Sequence, residues 1–308
     1  MKDRGFRVVV LCGGISPERE VSLRSGAALF ASYAKRWPAV KVVLDAAAIP
    51  AGLDPARDIV MSVCHGVFGE DGSLQELLDK EGFAYGGCDA ASSRTCFDKG
   101  LTKDAAARAG VRTIPDFRFD GAARPDAAAL VARLGPDIAI KPACQGSSVG
   151  LSLVSGEADV AAALAACTPG PWVAEQRIFG RETTIGILDG RALGVVEIKP
   201  KGGAYDYKHK YTAGMTEYEF PARIPDSARV EIERFGVAAF DACGCRDFAR
   251  VDFLLDAQGL AWFLEVNTLP GLTETSLLPK SASCRGFDFD SLADAMLEPA
   301  IRRFKAFA

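Results

Sequence analysis

The chain has 308 residues, 49% hydrophobic and 25% charged, with a formal net charge of −4. That length accommodates two or three compact units with sizeable cores. The balance is that of a soluble globular protein without the basic excess of nucleic-acid binders, so no nucleic-acid partner is expected and any polyanion bound should be small.

At the N-terminus the apolar run of the first strand, RVVVLCGG, spans only Val8 to Cys12. This is short of a signal-peptide core or a membrane span, so a cytoplasmic protein with no membrane partner is expected. The helical pattern REVSLRSGAALFASYA, the strands KVVLD and DIVMSVCHG and the helix GSLQELLDKEG follow. Such alternation predicts a parallel sheet flanked by helices. In LCGGISPERE, Ser16 is placed to cap a helix and Pro17 to begin it. Glu18 then either complements the helix dipole or holds a ligand ammonium. No GxGxxG is present, so dinucleotide binding has weak support. CHGVFGEDG places His65 at the C-terminal end of a strand, where parallel sheets bind ligands, although a purely structural histidine fits the same position.

GGCDAASSRTCFDKGLTKDAAARAG reads as one long helix, followed by the loop VRTIPDF, with a boundary near Ser92. A second unit runs through PDIAIKPA, SSVGLSLV and the helix EADVAAALAAC to the strand WVAEQRI. Within it KPACQGSSVG, Lys141 to Gly150, offers a lysine, small residues and two hydroxyls after a strand. A loop of this kind wraps phosphates with backbone N–H groups, but no G-K-[ST] follows as in a Walker A motif, and an ordinary connection fits as well.

The third unit opens with the hairpin TTIGILDGRALGVVEI, turning at its Asp-Gly. Next comes YDYKHKYTAG, Tyr205 to Gly214, with three of the chain's six tyrosines and one of its two histidines. Flanking glycines make a mobile loop the expectation, and its lysine pair suits an anion. After the helix SARVEIERFGVAAFDACG stand Cys243 and Cys245. The nine cysteines include no CxxC pair, which fits neither a disulfide framework nor a zinc site, so these two read as small buried residues.

The hairpin FARVDFLLDAQGLAWFLEVN comes next, and the amphipathic helix DSLADAMLEPAIRRFKAF ends the chain. A four-residue turn from Asp256 to Gly259 would set Leu255 opposite Leu260 and Arg250 opposite Glu265. Alternation then puts Val251, Phe253, Leu255, Trp262, Leu264 and Val266 on one face and Arg250, Asp252, Phe263, Glu265 and Asn267 on the other. The polar residues are either a cross-strand ion pair of little energetic value or, because unpaired carboxylates on buried strands are costly, a cation site. The second reading is favoured, and its oxygen ligands suit Mg²⁺.

In this order, GGISPEREVS, HGVFGEDG, FDK, KPACQGSSVG, AEQRIFGRE, YDYKHKYTAG, ARVDFLL and LEVNTLPGLT resemble the D-alanine:D-alanine ligase family of the ATP-grasp superfamily. The resemblance implies an α/β, three-domain ATP-grasp fold with an N-terminal parallel-sheet (Rossmann-like) domain over residues 1–92, a central domain over 93–177 and a C-terminal domain over 178–308. It implies ATP and two Mg²⁺ ions, with Mn²⁺ as an alternative, D-alanine as substrate and a homodimer. By the same resemblance, Lys99, Lys141 and Lys210 neutralise phosphates, and Asp252, Glu265 and Asn267 bind metal. Glu175, Ile178 and Glu182 surround adenine and ribose. Glu18, Ser147 and Tyr211 surround the first substrate, with His65 near its carboxylate; Ser276 and Leu277 line the second subsite, and Arg250 with the Gly271 N–H stabilises an oxyanion. Gln176, Phe97 and Leu269 depart from the family's commonest residues, which puts ATP affinity in question. Competing expectations are an ATP-grasp ligase with another acceptor, such as D-lactate, and a catalytically silent nucleotide-binding homologue.

Overall fold

The structure, a computed structural model, describes residues 5–146, 149–201, 215–273 and 275–307. Three sheets organise them. The first is parallel, in the order β2 (Ala39–Leu44), β1 (Arg7–Gly13), β3 (Asp58–Ser62), β4 (Ala84–Gly86). Strands β1 and β3 are continuous apolar runs because both faces are covered. On one face Val8 and Val10 pack with Leu29 and Tyr33 of α1 (Arg19–Tyr33) and with Met296, Leu297 and Ala300 of the last helix, α9 (Phe289–Phe307). On the other, Val9 and Leu11 pack with Leu74 and Leu78 of α2 (Ser73–Lys80). Helix α1 begins later than predicted: Ser16 caps the preceding turn, its Oγ accepting from the Glu18 N–H at 3.2 Å, and the helix starts at Arg19.

The predicted long helix is two helices, α3 (Ala90–Phe97) and α4 (Lys99–Arg108). Asp98 breaks it by adopting an extended backbone, φ −94° and ψ 111°, from which its carboxylate accepts the N–H groups of Gly100 and Leu101. An aspartate competes well for such a cap, so local hydrogen bonding overrides the helical pattern.

The second sheet is antiparallel, ordered β5 (Asp116–Asp120), β8 (Pro171–Gln176), β6 (Asp137–Pro142), β7 (Ser152–Ser155). Its apolar face packs under α5 (Ala127–Leu134) and α6 (Glu157–Ala166), which contribute Leu130, Leu134, Val160 and Leu164.

The third sheet is also antiparallel, ordered β11 (Thr216–Glu219), β10 (Arg191–Pro200), β9 (Gly180–Leu188), β12 (Phe248–Asp256), β13 (Ala261–Asn267). As predicted, β9 and β10 turn at Asp189-Gly190, both with positive φ (48° and 72°), the conformation of a tight two-residue hairpin loop. One face of the sheet, with Ile185, Val251, Phe253 and Phe263, is buried under α4 and α7 (Asp226–Ala242). The short helix α8 (Leu277–Ser283) leans on part of the opposite face, where Leu277 packs with Val196 and Ile198.

The register of β12 and β13 differs from the expectation. Leu255 pairs with Ala261 rather than Leu260, and Arg250 pairs with Asn267 rather than Glu265. The turn is longer because the Asp256 carboxylate gathers the N–H groups of Gln258 and Leu260 and the Trp262 indole. A bulge at Leu264 then shifts the ladder by one residue between the Asp252–Glu265 and Phe253–Phe263 pairs. Phe263 consequently leaves the polar face and stacks edge-on against Phe253 in the core, ring centroids 6.0 Å apart. Arg250, Asp252, Glu265 and Asn267 still share one face, since alternation is unbroken on either side of the bulge. No helix among the described residues is long and apolar enough to cross a membrane.

Candidate active site

The face of the third sheet opposite α4 and α7 holds Glu182 and Thr184 on β9, Arg250 and Asp252 on β12, and Glu265 and Asn267 on β13. The cross-strand pairs Leu254–Glu182, Asp252–Thr184, Asp252–Glu265 and Arg250–Asn267 fix this arrangement. Arg250 grips both oxygens of Asp252 at 2.9 Å, and the Thr184 hydroxyl donates to Asp252 Oδ1 at 2.5 Å. Both charged side chains are nearly buried, with 11% and 8% of Arg250 and Asp252 exposed. Asn267 Oδ1 is buried and, among the described residues, accepts no hydrogen bond. Two carboxylates directly opposite each other, with an unsatisfied amide oxygen two pairs along on the same face, form an oxygen-only donor set that fits Mg²⁺.

Lys99 joins this face to the second sheet. From the start of α4 its Nζ lies 3.6 Å from Glu265 Oε2 and donates to the Gln145 carbonyl at 2.6 Å, while its backbone N–H donates to the Ala143 carbonyl. Ala143 and Gln145, which follow β6, are thus tied to the acidic face through one lysine. Lys141 Nζ is 2.7 Å from Glu175 Oε2, and Lys103 Nζ is 2.8 Å from Glu175 Oε1 and 3.4 Å from Asp116 Oδ1. Burial pushes the Glu175 carboxyl up, but Lys141 and Lys103 outweigh it and hold the group below the ordinary carboxylate value. For Lys141, burial alone would lower the ammonium, and Glu175 reverses the sign. Ile178 is half-buried in the connection from β8 to β9, beside the largely exposed Phe179.

The first sheet contributes the ends of β1 and β3. His65 is buried; its Nδ1 is 3.3 Å from Glu70 Oε1, and the Gly66 N–H donates to Glu70 Oε2 at 2.9 Å. The opposite ring nitrogen, Nε2, is buried and has no hydrogen-bond partner among the described residues. Gly66 has φ +76°, and a Cβ there would stand 2.8 Å from Ser16 Cβ and 3.4 Å from Glu18 Oε2. A Cβ on Gly146 would stand 3.6 Å from the same Glu18 oxygen, so the glycine-rich loop of the second sheet reaches the carboxylate of the first. Beyond β13, the Leu272 N–H donates to Ser25 Oγ of α1 at 3.3 Å. A Cβ on Gly271 would lie 3.0 Å from Ser276 Oγ, which also accepts from the Thr273 N–H.

The structure therefore gathers Glu18, His65, Lys99, Lys141, Glu175, Glu182, Arg250, Asp252, Glu265, Asn267, Gly271 and Ser276 around the meeting of the three sheets. Leu277 is one residue further, its side chain turned into an apolar cluster. Ser147, Lys210 and Tyr211, with the whole of Tyr205 to Gly214, lie outside the described residues. Sequence reading overlooked Lys103, Thr184 and Glu70. Each had a signal: Lys103 follows Lys99 by one helical turn, Thr184 follows Glu182 by one strand period, and Glu70 lies inside the His65 motif.

Comparison with known proteins is consistent with this geometry. Residues 117–298 match the model of the D-ala D-ala ligase C-terminus family. The chain is 39% identical over 305 residues to the D-alanine--D-alanine ligase of Methylacidiphilum infernorum (isolate V4), covering 97% of each. It superposes on the crystal structure of D-alanine--D-alanine ligase from Bacillus anthracis with a TM-score of 0.85 at 29% identity, covering 98% of this chain and 100% of that one. The same enzyme complexed with ATP gives a TM-score of 0.83 at 27% identity, with the same coverage.

Proposed function

The chain belongs to the D-alanine–D-alanine ligase family and is an ATP-dependent ligase that joins two D-alanines for cell-wall synthesis, and we propose that it does so through an acyl phosphate formed over the acidic face of the third sheet. The observation that supports this reading is the pairing of Asp252 with Glu265 beside the unsatisfied, buried Asn267 Oδ1. Asp252, Glu265 and Asn267 would hold Mg²⁺, whose charge would offset that of the phosphates.

Lys99, from the start of α4, and Lys141, from the end of β6, face the same phosphates. Glu175, Ile178 and Glu182 border the base and ribose. In the first step a carboxylate oxygen of one D-alanine attacks the γ-phosphorus of ATP and ADP leaves. Glu18 receives that substrate's ammonium, and His65, held by Glu70, offers Nε2 to its carboxylate. In the second step the amine of another D-alanine attacks the acyl carbon, and negative charge develops on the carbonyl oxygen before phosphate leaves. Arg250 and the Gly271 N–H meet that charge, the place where preorganised donors accelerate reaction most. Ser276 and the backbone of Leu277 line the second subsite. Ser147, Lys210 and Tyr211 join the site on motif resemblance alone.

Residues 1–92, 93–177 and 178–308 are proposed as the substrate-side, central and C-terminal domains of a cytoplasmic homodimer. The test is phosphate release from Mg-ATP with D-alanine, L-alanine, glycine, D-serine and D-lactate, singly and in pairs, with mass detection of products. D-alanine alone should yield its dipeptide. Turnover only with another pair overturns the acceptor, and ATP binding without any turnover overturns the catalytic reading.

A further inference from the structure

Lys103 is only 2% exposed, which is rare for a lysine without a dedicated charge partner. It projects from α4 one turn beyond Lys99 and ends between Glu175 Oε1, at 2.8 Å, and Asp116 Oδ1, at 3.4 Å. Glu175 is equally buried at 2%, and its second oxygen is 2.7 Å from Lys141. Asp116 has its own second cation, Arg118, at 2.9 Å. The row Lys141–Glu175–Lys103–Asp116–Arg118 therefore alternates in sign across β6, β8, α4 and β5.

The two lysines on Glu175 are not equivalent. Lys141 lies at the start of the glycine-rich loop and, in the function proposed above, must turn its ammonium toward phosphate. When it does so it withdraws from Glu175. A buried carboxylate deprived of its sole cation resists that withdrawal, because desolvated charge demands a partner. With a second cation in place, the carboxylate keeps its charge and its position, and Lys141 moves at lower cost.

We propose that Lys103 is a positioning residue that holds Glu175 as a fixed anion, so that Lys141 can transfer from Glu175 to the nucleotide phosphates. Lys103 itself touches neither substrate nor nucleotide. The inference rests on the assignment of Lys141 to phosphate.

The test is Mg-ATP binding by calorimetry with the full chain, together with separate KM values for ATP and D-alanine. Lys103→Met should weaken ATP binding by about tenfold or more while the KM for D-alanine stays within about twofold. In the Glu175→Gln background, where no anion remains to hold Lys141 back, adding Lys103→Met should weaken ATP by no more than about twofold. If Lys103→Met folds poorly, Lys103→Gln, which keeps the length of the side chain nearly intact, serves in the same cycle. Additive effects in the two backgrounds, or a Lys103 variant that melts earlier yet binds ATP normally, would overturn the proposal. Lys141→Met is the control. Unchanged ATP binding by that variant overturns the phosphate assignment, and with it this inference; weakened binding with no coupling between Lys103 and Glu175 overturns this inference alone.

Discussion

Substituting Arg250 by methionine separates the structural from the chemical work of the acidic face. Methionine preserves much of the packing volume but removes the guanidinium that meets both Asp252 oxygens at 2.9 Å. Asp252, its side chain 8% exposed, would retain the Thr184 hydroxyl as a donor and lose its bidentate cation. Breaking a buried pair by removing one member costs about 3–5 kcal/mol, most of it the penalty of leaving the other charge unpaired. Since about 1.4 kcal/mol is a factor of ten, the folding equilibrium should fall by about two to three and a half orders of magnitude. Urea denaturation in EDTA, followed by circular dichroism, reads this directly. Added Mg²⁺ should then recover part of the loss, because a cation bound only to the native state at a hundred times its Kd contributes about 2.7 kcal/mol. Catalysis should not recover with it, since loss of a preorganised oxyanion donor costs about 10²–10³ in kcat. A loss below about 1 kcal/mol in EDTA would place Arg250–Asp252 among weak surface pairs and refute the electrostatic argument. An absence of any Mg²⁺ recovery would refute the metal reading of the face.

Gly66→Ala places a Cβ 2.8 Å from Ser16 Cβ at a φ of +76°, so it should cost about 1–3 kcal/mol and raise the KM for the first D-alanine; thermal denaturation and initial rates check both. Asn267→Leu should raise the Mg²⁺ concentration for half-maximal activity by about tenfold or more, with Asn267→Asp far less affected, as read by metal titration at saturating ATP. For Glu175 the folded-state carboxyl sits below its ordinary 4.5, so its ion pairs contribute fully above that pH and are lost as pH falls through the folded value. The stability difference between the native protein and Glu175→Gln should therefore be constant from pH 7 to about 5 and shrink below about 4.5 in acid denaturation; a difference that grows on acidification would contradict the sign of the shift.

Most elements were legible because their causes are local. The all-apolar runs of β1 and β3 report a sheet covered on both faces, and Asp189-Gly190 needs only its own two backbones to specify a turn. The polar identity of the β12–β13 face was legible too, since a strand period of two keeps Arg250 with Asp252 and Glu265 with Asn267 wherever the turn falls. Short, weakly periodic pieces such as β4, β11, α5 and α8 were not picked out, and the break at Asp98 was missed because a capping carboxylate competes with a helix pattern it does not visibly disturb.

Other features depended on residues far apart in the chain. The bulge at Leu264 sent Phe263 inward to meet Phe253, a choice made by the core rather than by alternation. Helix α9 buries its apolar stripe against β1, nearly the whole chain away, which its amphipathic pattern alone does not disclose. Above all, Lys103 reads as an ordinary surface lysine of an alanine-rich helix until β8 and β5 bring Glu175 and Asp116 to its ammonium. Periodicity by itself determined most of the longer elements and which residues share the polar face of β12 and β13. Which charges meet in the dry interior was decided only by the tertiary structure, because Coulomb attraction between buried groups depends on distance and desolvation, and neither follows from separation along the chain.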